Sequence, residues 1–196
     1  MADRPPLDLH PLVRQVKSLL YGVADETLAA PTPCPGWRVG DLLDHVSSLA
    51  LAFTRAARKT AGAADGGPPP APSVANLHRQ WRSRLPPQLD DLADAWADPD
   101  AWTGTAHAGG VTLPADQLGL FAANELTMHG WDLARATGQD FAVDPRVLEI
   151  LIGFLSQLPA EGTPGLFGPV VEAGDEEPSL LARAVALAGR DPGWRH

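Results

Sequence analysis

The segment from Pro114 to Gly138 constrains this chain more than any other. Pro114 suits the first turn of a helix, and Gly138 suits the position just past its end. Between them Leu118, Ala122, Glu125, His129 and Asp132 recur at spacings of 4, 3, 4 and 3, the inward seam of a bundle helix. The last three members are polar. A bare carboxylate and imidazole in a core cost several kcal/mol, roughly, even after relaxation. The fold must therefore bring compensating groups to this seam from elsewhere in the chain.

The rest of the sequence supplies helices to meet it. Leu9, Leu12, Val16, Leu19, Leu20 and Val23 form one apolar stripe within residues 9–28, closed by Pro31, Pro33, Pro35 and Gly36. A second helix is expected over Val39–Lys59, with Leu42, Leu43, Val46, Leu49, Ala50 and Phe53 inside. Its early Asp41 and Asp44 and its late Arg55, Arg58 and Lys59 suit the helix dipole. Residues 60–72 read as a linker. A third helix is expected over Ser73–Ala97, kinked or split at Pro86 and Pro87. Residues 98–113 read as irregular, with room for a short hairpin. Further helices are expected over Asp144–Leu158 and Pro178–Ala188, with a Pro/Gly/acidic loop at 159–177 between them and Gly189 ending the last. The β signal is poor throughout. The expected architecture is all-α: one domain over residues 1–196, with a four-helix bundle at about 8–138 and a C-terminal extension at about 139–196.

Composition narrows the function. Of the 196 residues, 24 are acidic and 15 basic, a formal net charge of −9 that repels a phosphate backbone, so no nucleic-acid partner is expected. Only Lys17 and Lys59 are lysines, which reads as the coding style of a GC-rich genome. The start, MADRPPLDLH, has no apolar signal region, and no apolar run reaches the roughly 18–20 residues of a membrane span. A cytoplasmic protein without a membrane partner is expected. Cys34 is the single cysteine, so a metal site here must use histidine and carboxylate.

His45 on the second helix follows Leu42 by three residues and precedes Leu49 by four, so it also points inward. His45, Glu125 and His129 together offer a ligand set for a divalent ion, with a coordination position left for water or substrate. The competing reading is a hydrogen-bonded core histidine beside an ordinary helix-surface pair, and spacing alone leaves both open. Asp132 has three readings: a fourth ligand, an acceptor for an imidazole N–H, or an ion-pair partner of Arg135, the last being the plainest. Trp131 lies off the seam and reads as packing. Cys34 lacks an adjacent base and reads as a small residue in a proline turn, and Trp37 as that turn's anchor. Nothing in the spacing supports a role for His78 or His107.

The stretches TPCPGWRVGDLLDHV, NELTMHGWDLARATGQ and LARAVALAGRDPGW together resemble the mycothiol-dependent maleylpyruvate isomerase family, within the DinB-like metal-binding superfamily. The resemblance implies a DinB-like bundle with additional C-terminal helices, and it implies that His45, Glu125 and His129 are the metal ligands. Zinc suits such a set first, and nickel or iron nearly as well. Arg38 stands where a small hydroxyl residue is usual, which weakens the expected helix cap. The isomerase is expected to carry an additional C-terminal domain. With about 60 residues after Gly138, this chain reads as a shorter branch.

Two functions follow as expectations. One is a metal-dependent enzyme in which a thiol of the mycothiol type adds to a small electrophile, giving S-transfer or isomerisation. The other is a non-catalytic metal- or ligand-binding bundle with a structural, sensing or sequestering role. A fourth protein ligand would favour the second. A homodimer is compatible with an exposed bundle helix.

Overall fold

Helix α1 (His10–Tyr21) carries Pro11 in its first turn and buries Leu12, Val13, Val16, Leu19 and Leu20. These come from a computed structural model, which describes residues 6–60, 70–163, 167–174 and 177–195. Most of the expected linker at 60–72 lies outside the described residues. α1 stops earlier than its apolar stripe suggests, and a 3₁₀ turn follows at Asp25–Ala29. A distant residue packs against that end. The Gln139 side-chain amide donates to the Leu19 carbonyl at 3.1 Å and occupies the space beside Gly22.

Helix α2 (Val39–Ala57) begins after an extended Arg38. The Arg38 N–H donates to the Asp41 carboxylate at 2.9 Å, while its guanidinium donates to the Ala29 carbonyl. The missing hydroxyl cap is thus offset by the acid three residues on. Helix α3 (Trp81–Trp96) starts later than expected and runs unbroken through Pro86 and Pro87. Buried Leu85, Leu89, Leu92 and Trp96 pin both sides of the proline pair to the bundle, which outweighs the roughly 3 kcal/mol an interior proline costs. A hairpin follows, β1 (Thr105–Ala108) against β2 (Val111–Pro114), antiparallel. Gly109 and Gly110 both have positive φ, as its two-residue turn demands.

Helix α4 (Ala115–Thr137) ends at Gly138 in the left-handed conformation. α1 and α2 each pack against both α3 and α4, which makes the four-helix bundle. Two further helices, α5 (Pro145–Leu155) and α6 (Leu180–Leu187), pair with each other, and α5 also packs on α4. The expected all-α class holds, and the two short strands are its only sheet among the described residues.

The core falls into two parts. The larger lies inside the bundle. The smaller gathers Met128 and Trp131 of α4 with Leu148, Leu155, Ala184 and Val185 of α5 and α6. Helix α4 is therefore covered on two faces. Gly119 lets the Trp102 ring approach so closely that a Cβ there would lie 2.4 Å from it. No helix among the described residues is long and apolar enough to cross a membrane.

Candidate metal centre

The packing of α2 on α4 brings His45, Glu125 and His129 together. Glu125 Oε2 lies 2.9 Å from His129 Nε2 and 3.6 Å from His45 Nε2. One donor atom from each residue lies within 4.8 Å of the others. Ligands about 2.0–2.1 Å from a tetrahedral ion stand about 3.3 Å apart, so the two carboxylate distances bracket the spacing that zinc would impose. The donor chemistry fits as well: two imidazole nitrogens and one carboxylate converge. His45 and Glu125 keep side-chain exposures of 18% and 21%, while His129 keeps 6%, so the cluster is reachable from one side. Val16, Val46, Phe53 and Leu92, with Glu125 and His129 themselves, line a small cavity of about 10 Å³, room for about one water.

His129 sits between two carboxylates. Its Nδ1 is 3.0 Å from Asp132 Oδ2 and its Nε2 faces Glu125. Burial opposes charge on this imidazole, but the hydrogen bonds to Asp132 and Glu125 outweigh it and hold the His129 pKa above the ordinary value. Burial would raise the Glu125 carboxyl, but His129 and His45 hold it far below the usual range. His45 is pushed down, chiefly by burial, against the pull of Glu125. Both directions favour a Glu125 carboxylate against a protonated His129 when no ion lies between them.

Asp132 is fully buried and its partner is Arg190, not Arg135. Arg190 Nε lies 3.0 and 3.1 Å from the two carboxylate oxygens, and Nη2 lies 3.0 Å from Oδ2. Arg135 instead donates to the Trp194 carbonyl at 2.6 Å and lies over the Trp131 ring. Gly189, with φ +79°, turns the chain after α6 so that Arg190 reaches back to α4. A Cβ there would also stand 2.7 Å from the Gly168 backbone. The LAGRDPGW stretch carried this residue, but nothing local marked it as a partner 58 residues from Asp132.

Trp37 does more than anchor its turn. Its ring stacks on His129, with centroids 5.8 Å apart and planes at 23°, and meets His45 edge-on at 4.7 Å. Cys34 is half-buried in the same turn. Burial, reinforced by the negative charge of Asp132 and Glu125 and opposed by Arg190, pushes its thiol up to about 12. It is a thiol, not a thiolate, at neutral pH. His107 bonds Thr112 across the hairpin at 3.0 Å, and His78 Nδ1 accepts the Gln80 N–H. Neither joins the cluster.

A family model described as the mycothiol maleylpyruvate isomerase N-terminal domain matches residues 9–134, from the start of the bundle through Asp132 but short of Arg190. Uncharacterized proteins from two strains of Mycobacterium tuberculosis are each 29% identical over 170 residues, covering 86% of this chain and 85% of theirs. The crystal structure of the mycothiol-dependent maleylpyruvate isomerase shares the fold with a TM-score of 0.63 at 18% identity, over 93% of this chain and 87% of that one. A histidine-to-alanine mutant of that enzyme matches equally at 0.63, over 86% of its chain. Most of the isomerase's length therefore has a structural counterpart here.

Proposed function

The chain belongs to the mycothiol maleylpyruvate isomerase N-terminal domain family, and from that premise we propose a divalent-metal enzyme that joins a low-molecular-weight thiol to a small electrophile, as a transferase or isomerase. His45, Glu125 and His129 would hold the ion. The observation that carries this reading is their convergence: three donor atoms, no pair more than 4.8 Å apart, on two packed helices. The chemistry that a divalent ion supplies in such a site is Lewis acidity, which favours the thiolate of a thiol ligand and polarises an electrophile. Zinc is proposed first, with nickel or iron as substitutes.

The chain's own residues prepare the site. Asp132 accepts the Nδ1–H of His129, which leaves Nε2 free to face Glu125 and the ion. Arg190 holds the same Asp132 carboxylate through Nε and Nη2 at 3.0–3.1 Å. Because Asp132 is engaged by both, it reads as a support for His129, not as a fourth ligand. His107 is bound within its hairpin. With three protein donors in the described cluster, a position remains for an outside ligand, which favours catalysis over a structural metal. Cys34 stays protonated, so the reading takes its thiol from solution, in line with the mycothiol named by the family.

Elemental analysis of protein purified without an affinity tag tests the ligand set, with His45→Ala as the control. About one equivalent of metal in the parent protein and a large loss in the variant are expected. Equal metal in both would overturn the assignment. With metal loaded, a panel of thiols and electrophiles should show thiol-dependent consumption of the electrophile. No turnover of any pair by metal-bound protein would leave the non-catalytic bundle as the better reading.

A further inference from the structure

We infer that Trp37 is a positioning residue for the metal centre, its indole holding the His45 and His129 rings in the orientation that ligation needs. This inference rests on the metal reading above and goes beyond it, because it assigns the orientation of the ligands to a residue that is not one of them.

His129 is oriented through Nδ1 by Asp132. His45 receives its corresponding support from rings: Trp37 edge-on at 4.7 Å and His129 at 4.8 Å, with an interplanar angle of 89°. One indole thus meets both imidazoles while they meet each other. With these ring contacts in place, each imidazole has fewer orientations open to it. Restricting those orientations before the ion arrives lowers the entropy that ligation must remove.

The indole can serve this role because its own position is set elsewhere. The Trp37 backbone N–H donates to the Cys34 carbonyl at 3.1 Å, and the Trp37 carbonyl accepts from both the backbone N–H and the hydroxyl of Thr32, which fixes the turn that carries the indole. Gly36, at φ +79°, closes the turn, and Pro31 bridges to Arg38 at its base. The turn then runs straight into α2, which carries His45 two helical turns on. Ring contact and ligand therefore come from one rigid piece of backbone.

The test uses zinc alone as the probe, on the full chain. Zinc affinity is measured by competition with a chromophoric chelator for the parent protein, Trp37→Phe and Trp37→Leu. The cobalt(II) absorption band serves as a signature of ligand geometry, and helicity of the metal-free proteins controls for folding. Trp37→Leu should bind zinc about tenfold more weakly, the lower end of what loss of a ligand-orienting neighbour costs, with an altered cobalt band. Trp37→Phe, which keeps a ring, should stay within about threefold of the parent. Zinc should also change the parent's tryptophan emission, and most of that change should vanish in Trp37→Phe although five tryptophans remain of the six. Should Trp37→Leu lose its helical signal, Trp37→Met takes its place with the same expectation. Parent-like affinity and an unchanged cobalt band in the ringless variant would overturn the inference while leaving the metal reading intact. Failure of the parent protein to bind zinc would overturn both.

Discussion

Replacement of Arg190 by methionine probes the support behind His129. Asp132 has no exposed side-chain surface and Arg190 keeps 12%, so the pair is removed from solvent. The guanidinium holds the carboxylate through contacts of 3.0–3.1 Å from Nε and Nη2. Methionine fills much of the stem's volume but leaves the Asp132 charge facing His129 alone. Truncating one side of a buried pair costs about 3–5 kcal/mol, and the remaining imidazole places this case near about 3. For a chain of this length that corresponds to a fall in Tm of about 6–12 °C. Asp132→Asn should cost a similar amount, because it strands the arginine instead. The double variant should cost clearly less than the sum, since each single change already removes the interaction. Urea unfolding followed by circular dichroism, on protein stripped of metal with a chelator, gives all four corners of the cycle. A loss below about 1 kcal/mol for Arg190→Met, or strict additivity of the singles, would refute the buried-pair argument.

Other perturbations test separate parts of the molecule. Gly119→Ala should destabilise by about 1–3 kcal/mol, because the new Cβ meets the buried Trp102 ring at 2.4 Å; parent-like denaturant stability would show that the ring yields freely. His10 is held between Asp94 and Asp8, whose hydrogen bonds raise its pKa above 6.5. Its contribution to stability is therefore full below about pH 6.5 and is lost as pH rises through the higher folded value. The stability gap between the parent and His10→Gln should narrow from mildly acidic to alkaline pH, and a gap that widened would contradict the sign. Cys34, with its thiol near 12, should alkylate about a thousandfold more slowly at neutral pH than a free cysteine; comparable rates under iodoacetamide would show an open, ionised sulfur.

Much of this architecture was legible because its signals are local. Pro114, Gly138, Pro145 and Gly189 mark helix ends that lie within a residue or two of where the chain turns. The seam through Glu125, His129 and Asp132 followed from helical spacing, and so did the inward turn of His45. What stayed hidden was carried by distant residues. Gln139 bonds the end of α1 across 120 positions, and Arg190 rather than nearby Arg135 pairs with Asp132 across 58. A helical i,i+3 neighbour is the natural partner to read from sequence, yet Arg135 is drawn off by the Trp194 carbonyl. Pro86 and Pro87 read as a break because propensity counts only the lost hydrogen bonds, while burial of Leu85 and Leu89 on either side decides the outcome. The ring contacts of Trp37 depend on how its turn docks on α4, which no local pattern encodes.

Helix α4, covered by the bundle on one face and by α5 and α6 on another, has a consequence for how mutational data on this protein should be read. A helix with one buried face tolerates substitution with a period of 3.6, strict on one side and lax on the other. On α4, Ala123, Thr127, Met128, Trp131 and Ala134 are as buried as the seam residues themselves. A scan of every position would draw it as a nearly unbroken band of intolerance from Ala122 to Ala136. Sensitivity alone would then rank Ala123 beside His129. Only measurements that separate folding from ligand retention would tell Glu125, His129 and Asp132 apart from the rest of the band.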